Sequence, residues 1–102
     1  MLIVELSIYP LGARESTHNE VAQVIDIIDK SGLDYRLGPM GTCIEGDWDE
    51  VMGVVKQCFQ TLSEDHARIE FSIQGDWRKG NEPRLNKKVE SIQHTLNRNL
   101  KT

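Results

Sequence analysis

Leu33-Asp34-Tyr35-Arg36-Leu37-Gly38-Pro39-Met40-Gly41-Thr42-Cys43-Ile44-Glu45-Gly46 is the stretch on which the fold turns. Two short runs of strand-like composition, about 34–37 and 42–45, flank a Gly-Pro-Met-Gly tetrad. Proline presets its own backbone torsion and glycine reaches torsions closed to other residues, so the tetrad predicts a turn between two paired strands. Just before it, Ser31-Gly32-Leu33 has the form of a helix stop, with Gly32 free to take the left-handed conformation. Upstream, Val21, Val24, Ile25 and Ile28 recur at helical spacing, and Thr17-His18-Asn19-Glu20 predicts a capping box. Downstream, Asp47-Trp48-Asp49-Glu50 predicts a second helix start with acidic groups placed against the helix dipole. Val51, Val55, Cys58, Phe59 and Leu62 carry that helix onward.

The outer segments complete the pattern. Residues 2–9 alternate, with Leu2, Val4, Leu6 and Ile8 on one face and Ile3, Glu5, Ser7 and Tyr9 on the other, until Pro10-Leu11-Gly12 ends the strand. Residues 67–74 alternate again, setting Ile69, Phe71 and Ile73 against Arg68, Glu70, Ser72 and Gln74. A polar loop through Asn81-Glu82-Pro83 leads to a last helix carrying Leu85, Val89, Ile92 and Leu96. The expected fold is α+β, a ferredoxin-like βαββαβ sandwich with an additional C-terminal helix, in one domain over residues 1–102.

Composition narrows the function. The 102 residues carry a formal charge of −4, which argues against a general nucleic-acid binder that must neutralise phosphates. No apolar run approaches the ~18–20 residues that cross a bilayer. Met1-Leu2-Ile3-Val4-Glu5 lacks the basic start of a signal peptide, so a cytoplasmic protein is expected. Cys43 and Cys58 are spaced for neither a redox nor a zinc motif and are expected as buried or half-buried thiols. His18, His66 and His94 are scattered, so no metal site is expected. Gly38-Pro39-Met40-Gly41-Thr42 joins strand to strand without the lysine and helix of a phosphate loop, and no cofactor is expected. Among Glu45, Asp47, Asp49 and Glu50, Asp47 and Glu50 are accounted for as helix caps, which leaves no catalytic constellation.

Two helices cover one side of a four-stranded sheet, and Leu2, Val4, Leu6, Ile8, Ile69, Phe71 and Ile73 are expected there. The other side, with Ile3, Glu5, Ser7, Tyr9, Glu70, Ser72 and Gln74, mixes greasy and polar groups as an association or ligand surface does. It lacks the basic-glycine-aromatic run of an RNA-binding sheet. Charge is uneven: residues 77–102 carry +5 and the preceding 76 carry −9. A solvated helix that offsets the acidic remainder, across a subunit boundary or within one chain, accounts for this, and an anion site at Arg84 and Lys88 is the other reading.

Ser7-Ile8-Tyr9-Pro10-Leu11-Gly12, Ser31-Gly32-Leu33-Asp34-Tyr35, Gly38-Pro39-Met40-Gly41-Thr42-Cys43-Ile44-Glu45-Gly46 and Trp48-Asp49-Glu50-Val51 stand in the order and spacing of the thiamine-binding-protein-like family, which the chain resembles. Arg84-Leu85 followed by Lys88-Val89 resembles its C-terminal helix. The resemblance implies the ferredoxin-like fold, dimers joined through their sheets and often tetramers, and binding of thiamine or its hydroxymethylpyrimidine half without turnover. Hydroxyls of Ser7 and Thr42 suit the pyrimidine edge, Glu45 or Glu5 the cationic thiazolium, and an aromatic ring cation–π contact. Parity sets a condition: if Ile44 faces the core so does Thr42, leaving Cys43 and Glu45 on the open face. The candidate ligand-binding set is Ser7, Tyr9, Met40, Thr42, Cys43 and Glu45, on a homo-oligomer without nucleic-acid or membrane partners. The alternative is an oligomeric structural or regulatory module of the same fold with no small ligand.

Overall fold

The computed structural model describes residues 1–12 and 18–102. Among them β1 (Leu2–Pro10), α1 (His18–Lys30), β2 (Asp34–Leu37), β3 (Thr42–Gly46), α2 (Trp48–Ser63), β4 (Ile69–Trp77) and α3 (Lys87–Leu96) follow the expected order. The strands make one antiparallel sheet in the order β2-β3-β1-β4, so the two halves of the chain interleave and β1 and β3 lie at its centre. This is the ferredoxin-like arrangement with an added helix.

The alternation along β1 becomes a burial alternation: Leu2, Val4, Leu6 and Ile8 are all buried on the helix side. Ile44 of β3, Val24 and Ile28 of α1, and Val51, Val54, Val55, Cys58 and Leu62 of α2 complete the core. Each large aliphatic side chain taken from water there contributes about 1.5–3 kcal/mol. Gly32 ends α1 at φ +78°, as its sequence position predicts, and the Ser31 hydroxyl donates to the Ile28 carbonyl at 2.5 Å. Asp47 occupies the N-cap position of α2, but its backbone carbonyl accepts from Val51 N–H while its carboxylate makes no capping bond. The capping box predicted at Thr17 lies outside the described residues.

Three expectations are corrected. Phe71 and Ile73 do share the core-side face, paired with Ile8 and Leu6, yet they are 55% and 39% exposed. The reason is coverage: α1 and α2 pack over β1, β2 and β3, and β4 lies beyond them. Phe59, expected in the α2 core stripe, is half uncovered for the same reason. Next, β4 runs from Ile69 to Trp77 rather than over 67–74, because Gly75 and Asp76 continue the ladder opposite Val4 and Ile3. Finally, α3 starts at Lys87, after Leu85, and none of its residues is buried. The segment before it crosses the sheet face away from α1 and α2, so that face is not wholly open.

Candidate functional site

The pairing of β1 and β3 is shorter than β1 itself. It runs from Leu2 opposite Gly46 to Leu6 opposite Thr42, whereas β1 continues to Pro10. Beyond Leu6, among the described residues, no strand flanks β1 on that side. The turn Gly38–Gly41 stands beside the gap, closed by a 3.0 Å hydrogen bond from Gly38 N–H to the Gly41 carbonyl. A cavity of about 180 Å³ opens between them, floored by Val24, Ile25 and Ile28 of α1. Glycine is required here for space: a Cβ on Gly38 would lie 2.7 Å from the Gly41 carbonyl oxygen, and one on Gly41 would lie 3.2 Å from the Leu6 carbonyl.

Four of the six sequence-chosen residues meet at this cleft. Ser7, Tyr9, Met40 and Thr42 line it, with Thr42 buried and Met40 85% exposed at the rim. The Tyr9 hydroxyl donates to Glu70 Oε2 at 3.2 Å, across the β1–β4 pair. That hydrogen bond, with the carboxylate charge behind it, raises the phenol above its ordinary pKa.

Cys43 and Glu45 fall on the opposite face, as strand parity requires, paired with Glu5 and Ile3. Cys43 Sγ is 3.9 Å from Glu5 Oε2, and burial first, then the Glu5 charge, pushes its thiol up. Cys58 is buried in the core and pushed up to about 11 by desolvation. Neither environment favours a thiolate nucleophile. Glu45 is 3% exposed because the backbone N–H of Arg84 donates to its Oε2 at 2.8 Å. The Arg84 guanidinium then bonds Asp76 at 3.0 Å and the Met1 carbonyl at 3.3 Å, and Arg36 Nε bonds the Asn86 side chain. Residues 84–86 thus seal Glu45 away from the cleft.

One neighbouring feature escaped the sequence reading. A broad groove of about 560 Å³ between α1 and β2 shares Val21, Ile25 and Leu37 with the cleft and carries Asp26, Asp29 and Tyr35. The Tyr35 hydroxyl donates to Asp29 Oδ1 at 2.7 Å. The signal was present in the α1 stripe, whose Val21 extends past what the core covers and is 38% exposed. Among the described residues, no group of His, Cys, Asp or Glu is placed to hold a metal ion, and no helix is long and apolar enough to cross a membrane.

The family described as Thiamine-binding protein matches residues 4–93 of the chain. UPF0045 protein MJ1052 of Methanocaldococcus jannaschii is 33% identical over 91 residues, covering 89% of this chain and 91% of that protein. UPF0045 protein Mb1933 of Mycobacterium bovis is 34% identical over 96 residues, covering 93% and 94%. The crystal structure of MJ1052 superposes with a TM-score of 0.80 over 89% of this chain and 94% of that one. A structure from Thermotoga maritima, described as a putative thiamine biosynthesis/salvage protein, superposes with a TM-score of 0.78 at 24% identity over 89% of this chain and 97% of that one; it bears on the fold alone.

Proposed function

The chain belongs to the thiamine-binding protein family, and we propose that it binds thiamine, or the hydroxymethylpyrimidine half of it, without turning it over. The observation that carries this reading is the cleft where β1 outruns β3. An aminopyrimidine presents donors and acceptors along one edge. The β1 segment past Leu6 offers backbone groups along the same gap, and the hydroxyls of Ser7 and Thr42 add to them. Each neutral hydrogen bond made there contributes about 0.5–1.5 kcal/mol.

Size supports a single ring in the cleft. Its volume of about 180 Å³ is below the ~300–1,000 Å³ of a typical ligand pocket. A cationic thiazolium would leave the cleft along the neighbouring groove, where Asp26 and Asp29 supply negative charge and Tyr35 a ring face worth about 0.5–2 kcal/mol. A second copy set against the exposed sheet face beside Ser7 and Tyr9 would complete the enclosure, making this a subunit-interface site. In this reading Ser7, Tyr9, Met40 and Thr42 meet the ligand. Glu45 instead anchors the segment before α3, and Cys43 faces the other side.

Isothermal titration with thiamine and with hydroxymethylpyrimidine tests the proposal. Saturable heat is expected with both, and Ser7→Arg, which fills the cleft, abolishes it while the fold is retained. No heat and no thermal shift from either compound at millimolar concentration would overturn the reading in favour of an assembly module without a small ligand.

A further inference from the structure

We propose that β4 is a homodimer edge: two copies of this chain join their sheets antiparallel, β4 to β4, about a two-fold axis at Ser72. The inference stands apart from the ligand reading above, since it concerns the far side of β1 from the cleft.

The two edges of the sheet differ. β2 is four residues long and runs into the Pro39 turn. β4 is nine residues long and pairs with β1 without a bulge from Pro10 opposite Ile69 to Leu2 opposite Trp77, and among the described residues its outer side has no strand. Edge strands that stay unpaired are blunted by shortness, proline, lysine or bulges. β4 has none of these, and its only charges, Glu70 and Asp76, point away from the helix face.

The helix-side flank is as unguarded as the backbone. Phe71, Ile73 and Trp77 of β4 are exposed, and Phe71 continues onto Phe59 of α2 over an apolar groove of about 200 Å³. Met52 and Val55 form its wall, with Lys56 as the sole charged residue lining it. In a joined sheet the β1 strands of the two copies stand three strand spacings apart, roughly 14 Å. That is wider than the ~8–10 Å of directly packed helices, so the α2 helices above would leave a gap. Two Phe59 and two Phe71 rings fill it.

A second copy is the occupant because the edge is self-complementary. With the axis at Ser72, Phe71 faces Ile73 of the second copy and Glu70 faces Gln74, an aromatic–β-branched pair and a carboxylate–amide pair. An axis at Ile73 would set Glu70 against Asp76, like charge against like, and an axis at Phe71 would shorten the ladder. The pairing also closes. It consumes both long edges and leaves only the two short β2 edges, so association stops at two copies through this contact.

Sedimentation of the full chain tests the contact. The double variant Phe71→Lys, Ile73→Lys is expected to halve the mass of the wild-type assembly while keeping its helical circular dichroism; a wild-type chain that is monomeric at micromolar concentration, or a variant of unchanged mass, overturns the proposal. The register is read independently, and by substitutions mild enough to fold if the double variant does not. In a Cys43→Ser background, Ser72→Cys is expected to form an interchain disulfide on mild oxidation and Gln74→Cys is not. No link at Ser72, or equal linking at both positions, overturns it. Titration of the double variant with thiamine separates the two readings, because loss of the edge leaves the Ser7–Thr42 cleft intact.

Discussion

Tyr9 sits where two functions of one residue meet, at the lip of the cleft and in a hydrogen bond to Glu70. Tyr35 is in the same condition against Asp29, and both phenols are raised above the ordinary 10.0. A raised folded pKa means that the stabilisation is fully present below the unfolded value and is lost as pH climbs through the folded one. The ultraviolet titration of the two tyrosines is therefore expected to run later than that of free tyrosine, and Glu70→Gln should return one of them towards pH 10. A wild-type titration centred at the ordinary value would refute the Tyr9–Glu70 and Tyr35–Asp29 bonds. Residue-level facing was legible in the sequence: period two along β3 put Thr42 towards the core and Cys43 and Glu45 on the other side, where the register places them. What seals Glu45 was not legible, because its partner is a backbone N–H 39 positions away that strand alternation does not encode.

At the scale of elements, the hairpin and its turn do the positioning. β2 and β3 meet in register from Leu37 opposite Thr42 to Asp34 opposite Glu45, and the turn leans on β1 through Gly41. Gly38→Ala would drive a Cβ to 2.7 Å from the Gly41 carbonyl, a backbone atom that yields only if the turn opens. Its expected cost is about 1–3 kcal/mol in urea unfolding, with a weaker ligand heat because the wall of the cleft moves. Unchanged stability and heat would show that the turn does not hold the cleft. Helix existence and strand order followed from periodicity and turn chemistry. Element exposure did not: Ile69, Phe71 and Ile73 carry the same alternation as the buried face of β1, yet two helices are too few to cover four strands.

The whole molecule is elongated, at 47 × 29 × 21 Å with a radius of gyration of 15.1 Å. A compact chain of this length has about 12.8 Å. The excess comes from α3, whose Ile92 and Leu96, with Leu100 just beyond it, stay 37–42% exposed. It ends on Asn97 in the left-handed conformation, with Arg98 N–H returning to the Gln93 carbonyl at 3.2 Å. Small-angle scattering of the monomeric Phe71→Lys, Ile73→Lys variant is expected to give a radius near 15.1 Å. A value near 13 Å, that of a compact chain, would mean that α3 folds back onto its own sheet. Residues 77–102 carry +5 against −9 for the rest, so a helix held away from its own sheet keeps its basic groups available to an acidic surface.

By itself the sequence determined the kinds of element, their order, the side of each strand that turns towards the helices, and the family. These follow from local periodicity and from glycine and proline chemistry, which act within a few residues. The tertiary structure alone decided which of those sides is covered: the cleft past the end of β3, the burial of Glu45 under Arg84, and the bare flank of β4. Coverage depends on where distant segments come to lie and on how far two paired strands overlap, and neither is written in the pattern of any one strand.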